Sequence, residues 1–193
     1  INEFLGNYIG VSIGVPVPDR LFLMVPDTIL EEASKKLCYS INMDTVKQNI
    51  FFATKWIYGQ VKFDNINLLF DEIGNTINYK KYPSIFPYDQ YLRNQDRHID
   101  NHLIIRINAK QKFYYSIDSD RIFESYPLSN ILSVKNNFEC FERPIYKDLY
   151  NSITDELYVI ILQYSNFIEK LTDEQFDLMR AYLESYYAIE SSL

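Results

Sequence analysis

The sequence predicts an α+β chain. Three observations carry that expectation: short β-prone apolar runs in the first and middle parts, amphipathic helical spacing between them, and three helical patterns filling the C-terminal portion. With 193 residues, of which 47% are apolar, the chain can bury a sizeable core in one domain or in two lobes sharing a cleft.

The elements follow in order. The chain opens on Ile1 without Met, and Ile1, Phe4, Leu5, Tyr8 and Ile9 keep a helix-like spacing. This is the expected end of a helix that has lost its beginning, stopped by Gly10 and Gly14. Val15-Pro16-Val17-Pro18 is extended, because residues before proline avoid the α region. Arg20 to Val25 is a short, largely buried strand. Pro26-Asp27-Thr28 opens a surface helix, with Glu31 and Glu32 early and Lys35 and Lys36 late, as the helix dipole favours. Ile50 to Tyr58 is a strand broken by Gly59. Ile66, Leu68, Leu69, Phe70 and Ile73 give a helix one buried face, with Gly74 just past its end. Tyr79 to Pro87 is expected to be loop, with Pro83 and Pro87 as breakers, and Tyr88 to Leu92 a last helical turn leading to Asn94. Leu103 to Ile107 and Phe113 to Ile117 form a hairpin across Asn108 to Lys112. Ile145 to Ile153, Glu156 to Leu171 and Asp173 to Ile189 complete the chain as helices, the last with Thr172 and Gln175 in a capping box.

Composition narrows the function classes. A net charge of −7 argues against a broad nucleic-acid footprint, which relies on clustered Lys and Arg, so direct DNA binding is not expected. Cys38 and Cys140, two and far apart, fit core thiols in a reducing compartment. No apolar run has the length of a membrane span and no signal-peptide pattern opens the chain, so the expected location is the cytoplasm.

The richest chemistry lies in Asn94-Gln95-Asp96-Arg97-His98-Ile99-Asp100-Asn101. Pairing Ile107 with Phe113 in an antiparallel ladder sets Asn101 opposite the Asp118 to Asp120 corner. An amide and one or two carboxylates suit Mg²⁺ that shares phosphate oxygens. Asp96 folds back toward the same space, in a general-base position. Asp120 is a rival metal ligand to Asp118.

Asn94-x-Asp96-Arg97-His98-x-x-Asn101, a hairpin and then Ile117-Asp118 together resemble the catalytic loop and metal-binding segment of HipA-like kinases, which are related to the phosphatidylinositol-kinase-like enzymes. Asn2-Glu3, Gly14 to Pro18 and Phe52-Ala53-Thr54-Lys55-Trp56-Ile57 resemble the family's Asn-Glu helix, its proline turn and its hinge-side segment. The resemblance implies a protein-kinase-like fold, with residues 1–58 a remnant of the β-containing small lobe and hinge and 59–193 a helical large lobe carrying the catalytic-loop hairpin. It implies a Ser/Thr kinase using ATP and Mg²⁺: Asp96 as catalytic base, Asn101 and Asp118 on the metal, and Arg97 and His98 bracing the loop. Glu3, Phe52 and Lys55 would serve the nucleotide side, Glu3 by pairing with a phosphate-contacting Lys. No Gly-rich loop or strand Lys precedes Glu3, so the expectation is a fragment, a chain completed by a partner that supplies the small lobe, or a degenerate relative, inactive by itself. A protein substrate and an antitoxin partner are further family expectations.

Plainer readings stand beside these. Asp96, His98, Asp100 and His102 alternate, and His98 and His102 have the spacing of a helical zinc pair, although no Cys or third His accompanies them. An Asp-Arg-His cluster also serves as a loop brace. Trp56 is read as core, and Tyr182, Tyr186 and Tyr187 as packing or as a partner-binding stripe. A lipid kinase would call for a basic membrane patch, which the sequence lacks. The alternative from another class is a non-catalytic, pseudokinase-like acidic binding or immunity protein.

Overall fold

A computed structural model describes residues 2–37, 50–54, 60–61, 63–94, 96–119, 121–122, 144–151, 154–179 and 181. Cys38, Lys55, Trp56, Asp120, Cys140, Tyr182, Tyr186 and Tyr187 lie outside them. The chain is α+β, with a two-stranded and a three-stranded antiparallel sheet among its helices. It forms two compact units, one of Ile1–Pro18 with Trp56–Leu171 and one of Asp19–Lys55 with Thr172–Leu193.

In the smaller unit, β1 (Arg20–Met24) pairs with β2 (Ile50–Thr54), matching Phe22 with Phe52. Their rings meet edge-on at 6.0 Å, a preferred aromatic geometry. The strand expectation holds, but β1 is not largely buried: Phe22, Leu23 and Met24 are exposed. Apolar composition alone does not bury a strand. Helix α1, the first of the larger unit (Asn2–Ile13), precedes this pair, and α2 (Asp27–Leu37) lies between its strands, with a Glu32–Lys36 ion pair on its solvated face. Residues 173–179 are helical, and Thr172 and Gln175 exchange the expected capping bonds: Gln175 N donates to Thr172 Oγ1 at 3.3 Å and Thr172 N to Gln175 Oε1 at 2.9 Å.

Helix α1 runs through Gly10 and stops at Gly14, whose φ of +81° suits glycine. Gly10 has another purpose. A Cβ there would lie 3.0 Å from Val17 Cγ1, so the glycine admits the returning proline segment. Helix α3 (Ile66–Gly74) is capped by Asn65, which accepts from Leu68 N at 3.0 Å, and buries Leu69 and Ile73. Where a loop is expected, the chain forms a 3₁₀ helix (Tyr79–Ser84) and then α4 (Ile85–Leu92). Pro83 and Pro87 do not break these turns. Pro87 is the third residue of α4, where a backbone N–H has no helical partner to lose.

Strands β3 (Gln60–Val61), β4 (His102–Arg106) and β5 (Lys112–Ser116) form the second sheet in that order. The ladder pairs Ile105, not Ile107, with Phe113. Asn108 tightens the turn, because its Oδ1 accepts from Lys110 N and Gln111 N, and Lys112, expected in the connection, joins β5 instead. A two-residue slip leaves the faces unchanged but changes the partners, and it sets Ile104 opposite Tyr114, both fully buried. They pack with Leu69, Ile73, Phe86 and Tyr146 in the core. Tyr146 belongs to α5 (Pro144–Asn151), and α6 (Asp155–Glu169) follows, capped by Thr154.

The outer edge of β5 is closed without another strand. Ile77 N donates to Lys112 O, Ser116 N donates to Pro16 O, and the Asn78 amide both donates to Tyr114 O at 2.9 Å and accepts from Tyr114 N at 2.8 Å. An asparagine thus stands in for one residue of a ladder. Asn78→Ala leaves two buried backbone groups without partners, and chemical denaturation is expected to show a loss of about 1–3 kcal/mol.

Candidate active site

Helix α4 delivers the chain to the polar loop. Arg93 takes a left-handed conformation (φ 53°) at its C-cap, and Asn94 is fully buried just beyond. The Asn94 side chain looks both ways: Oδ1 accepts from Asp96 N at 3.0 Å and Nδ2 donates to Asp89 Oδ1 at 3.1 Å. Such a side-chain turn holds a loop open for its neighbours.

The loop is braced from inside by Arg97, which is 3% exposed. Its Nε and Nη2 donate to Asp89 Oδ2 and Oδ1 at 2.8 and 2.9 Å, a bidentate pair in which neither side chain reaches solvent. The Tyr146 hydroxyl adds a short hydrogen bond to Asp89 Oδ2. Arg97 Nη1 then donates to the carbonyls of Ile117 at 2.8 Å and Asn101 at 3.2 Å. These carbonyls close the two strand ends of the hairpin, where Ile117 N also donates to Asn101 O. Burial opposes the Arg97 charge, but Asp89 outweighs that effect and holds its proton more firmly than in water.

Asn101 and Asp118 meet at this end of the hairpin. Asn101 is 1% exposed, and its Nδ2 donates to Asp96 O at 3.1 Å and Asp118 O at 3.4 Å. With both donations directed to carbonyls, Oδ1 is identified as the remaining atom, and it is a buried acceptor with no protein partner. Asp118 is exposed and has φ 60°, a left-handed conformation costing an L-residue about 1–2 kcal/mol. Strain of this kind concentrates at functional sites.

Asp96 is half-buried, its carboxylate flanked by Arg121 Nε at 3.5 Å and His98 Nε2 at 3.9 Å. His98 is exposed, and its Nδ1 accepts from Asp100 N at 3.3 Å. His102 points elsewhere: it is buried, shares a hydrogen bond with the Tyr114 hydroxyl at 3.0 Å and stacks on that ring. The two histidines therefore form no common zinc site, and among the described residues no group of three or more His, Cys, Asp or Glu could hold a metal. An amide with two carboxylates is a different donor set, suited to a hard cation that keeps waters.

The structure therefore brings Asp96, Arg97, His98, Asn101 and Asp118 to one loop and one hairpin end. Glu3 serves a structural partner there, because its carboxylate accepts from Ser119 N in a short hydrogen bond, while the Tyr88 hydroxyl bonds Ser119 Oγ at 3.0 Å. Phe52 lies in β2 of the other unit. Asp89, Tyr146 and Arg121 escape sequence reasoning. The one signal for Asp89 is a carboxylate set among Ile85, Phe86, Tyr88 and Leu92, since an acid on an otherwise apolar helix requires a partner.

No family model matches the chain, and no curated protein shows significant similarity to it. Among the described residues no helix is long and apolar enough to cross a membrane.

Two outcomes follow from the buried charges. Arg97→Met leaves the Asp89 carboxylate buried without its cation, and urea denaturation is expected to show a loss of about 3–5 kcal/mol. Burial, and then the nearby Arg97 charge, hold His102 well below its ordinary 6.5. Below 6.5 the unfolded chain binds a proton that the folded chain refuses. Stability therefore falls as pH drops through 6.5, by up to about 1.4 kcal/mol per pH unit, until the folded group itself titrates. His102→Gln is expected to flatten this part of the stability–pH curve.

Proposed function

We propose that this chain is the large lobe of a HipA-like Ser/Thr kinase, transferring the ATP γ-phosphoryl group to a protein hydroxyl. The observation that carries the reading is the buried Asn101 Oδ1, an acceptor with no protein partner, beside a carboxylate residue held in a left-handed conformation. An unsatisfied buried acceptor is costly, and a bound cation would satisfy it.

On this reading Asn101 Oδ1 and the Asp118 carboxylate hold Mg²⁺, which neutralises phosphate charge when bound. Asp96 receives the acceptor hydroxyl's proton as the new oxygen–phosphorus bond forms and the bond to the β-phosphate oxygen breaks, releasing ADP. Its partial exposure suits an incoming hydroxyl. On this reading Arg97 acts away from the reacting atoms, since each of its three nitrogens is engaged by Asp89 or by backbone carbonyls. Residues 1–58 as a small-lobe remnant, Phe52 and Lys55 on the nucleotide side, a cytoplasmic protein substrate and an antitoxin partner belong to the same proposal.

Calorimetry on the full-length protein tests it. Mg²⁺-dependent ATP binding is expected, and Asp118→Ala should abolish the Mg²⁺ dependence. Asp96→Asn should keep binding while transfer falls about 100- to 10,000-fold. No Mg²⁺-dependent heat, with Asp118→Ala indistinguishable from the parent, would sink the reading. A stoichiometric protein complex that survives Asp96→Asn combined with Asp118→Ala would instead identify an acidic binding protein.

A further inference from the structure

We propose that Asp89, seven residues before Asp96 and outside the loop motif, is a positioning residue for the metal pair, acting through Arg97, and that Tyr146 of α5 sets its grip. The inference rests on the metal-site reading above and adds residues to it that touch neither metal nor substrate.

The Asp89 carboxylate receives four donors: Arg97 Nε and Tyr146 Oη on Oδ2, Arg97 Nη2 and Asn94 Nδ2 on Oδ1. All four side chains are buried. Holding two guanidinium nitrogens aims the third, Nη1, at the carbonyls of Asn101 and Ile117. One of these carbonyls belongs to a ligand residue, and the other immediately precedes the second ligand. The guanidinium is planar and rigid, so a small rotation at Asp89 displaces both carbonyls together. It would move Asn101 Oδ1 relative to Asp118, whose left-handed backbone relaxes once the constraint is loosened. Asn94 ties the same carboxylate to the Asp96 backbone. Asp89 thus touches, through one intermediary each, the backbone of the candidate base, of Asn101 and of Ile117, the residue before Asp118.

Tyr146 makes the idea separable from simple stability. Its ring packs on Phe86 at a centroid distance of 5.4 Å, and Tyr146→Phe keeps that ring while removing the hydroxyl donor to Asp89. The experiment is a Mn²⁺ titration of the ¹⁵N-labelled full chain, read as paramagnetic broadening of the Asn101 side-chain amide and the Asp118 N–H. The parent is expected to broaden at both. Partners that orient metal ligands typically contribute about 10- to 100-fold in affinity, and Asp89→Asn is expected to raise the midpoint by that much. Tyr146→Phe, which removes one of the four donors to Asp89, should raise it measurably but by less than Asp89→Asn. Ile73→Val, which thins the core away from the loop, serves as the stability control, with Tm measured for every variant. Should Asp89→Asn not fold, Tyr146→Phe decides. Positioning is overturned if Tyr146→Phe titrates like the parent, or if Ile73→Val at matched Tm loss weakens Mn²⁺ equally. If the parent shows no broadening at Asn101, the metal reading fails and the positioning role with it.

Discussion

The buried ion pair of Asp89 and Arg97 is the contact on which the polar loop depends. Taking two charges out of water is expensive, and the attraction between them offsets this only when geometry is good and the remaining donors and acceptors are used. Both conditions hold here. The carboxylate accepts from four donors, and the guanidinium spends its spare hydrogens on carbonyls that end two strands. A pair of apolar residues could fill the same volume, but it would not choose between one arrangement of the loop and another. The pair converts a surface loop into a rigid extension of the core.

The core beneath it is assembled from distant parts of the larger unit. Leu69 and Ile73 of α3, Phe86 of α4, Ile104 and Tyr114 of the sheet and Tyr146 of α5 pack together, so the helix that supplies the hydroxyl to Asp89 is seated by the same contacts that bury the hairpin. The free edge of that hairpin is covered by Pro16, Ile77 and Asn78 rather than by a fourth strand. Covering an edge with a proline segment and one amide leaves no ladder for another chain to join. Helix α1 reaches the far end of the hairpin through Glu3 and the closely approached Gly6, where a Cβ would lie 2.5 Å from Ser119 Cβ.

Much of this was legible in the residues, for definable reasons. The hairpin, the buried face of α3 and the Thr172–Gln175 box follow rules in which neighbours along the chain decide the structure. The meeting of Asn101 with the Asp118 segment followed from antiparallel geometry, even with the strand pairing off by two residues. What stayed hidden depends on contacts far apart in sequence. Asp89 resembles any polar residue on a short helix until Arg97 and Tyr146 close around it. The bond from Ser119 N to the Glu3 carboxylate, across most of the larger unit's sequence, was hidden in the same way. Pro83 and Pro87 read as breakers, yet Pro83 lies inside the 3₁₀ helix and Pro87 in the first turn of α4, a place that depends on where that helix begins. The exposure of β1 was hidden for another reason: hydrophobicity says what a strand would gain by burial, not whether a layer is there to bury it.

Asp118 shows what a fold gives up to keep a side chain in place. At φ 60° the backbone asks for glycine, and of the larger residues Asp and Asn tolerate the request best. Every generation of random change therefore offers this position a residue that would relax the chain and delete the carboxylate. A lineage selected for thermal endurance alone would lose the acid here early, whereas one that needs its chemistry would keep it against that pressure. The identity of this residue among descendants is accordingly a record of which demand prevailed.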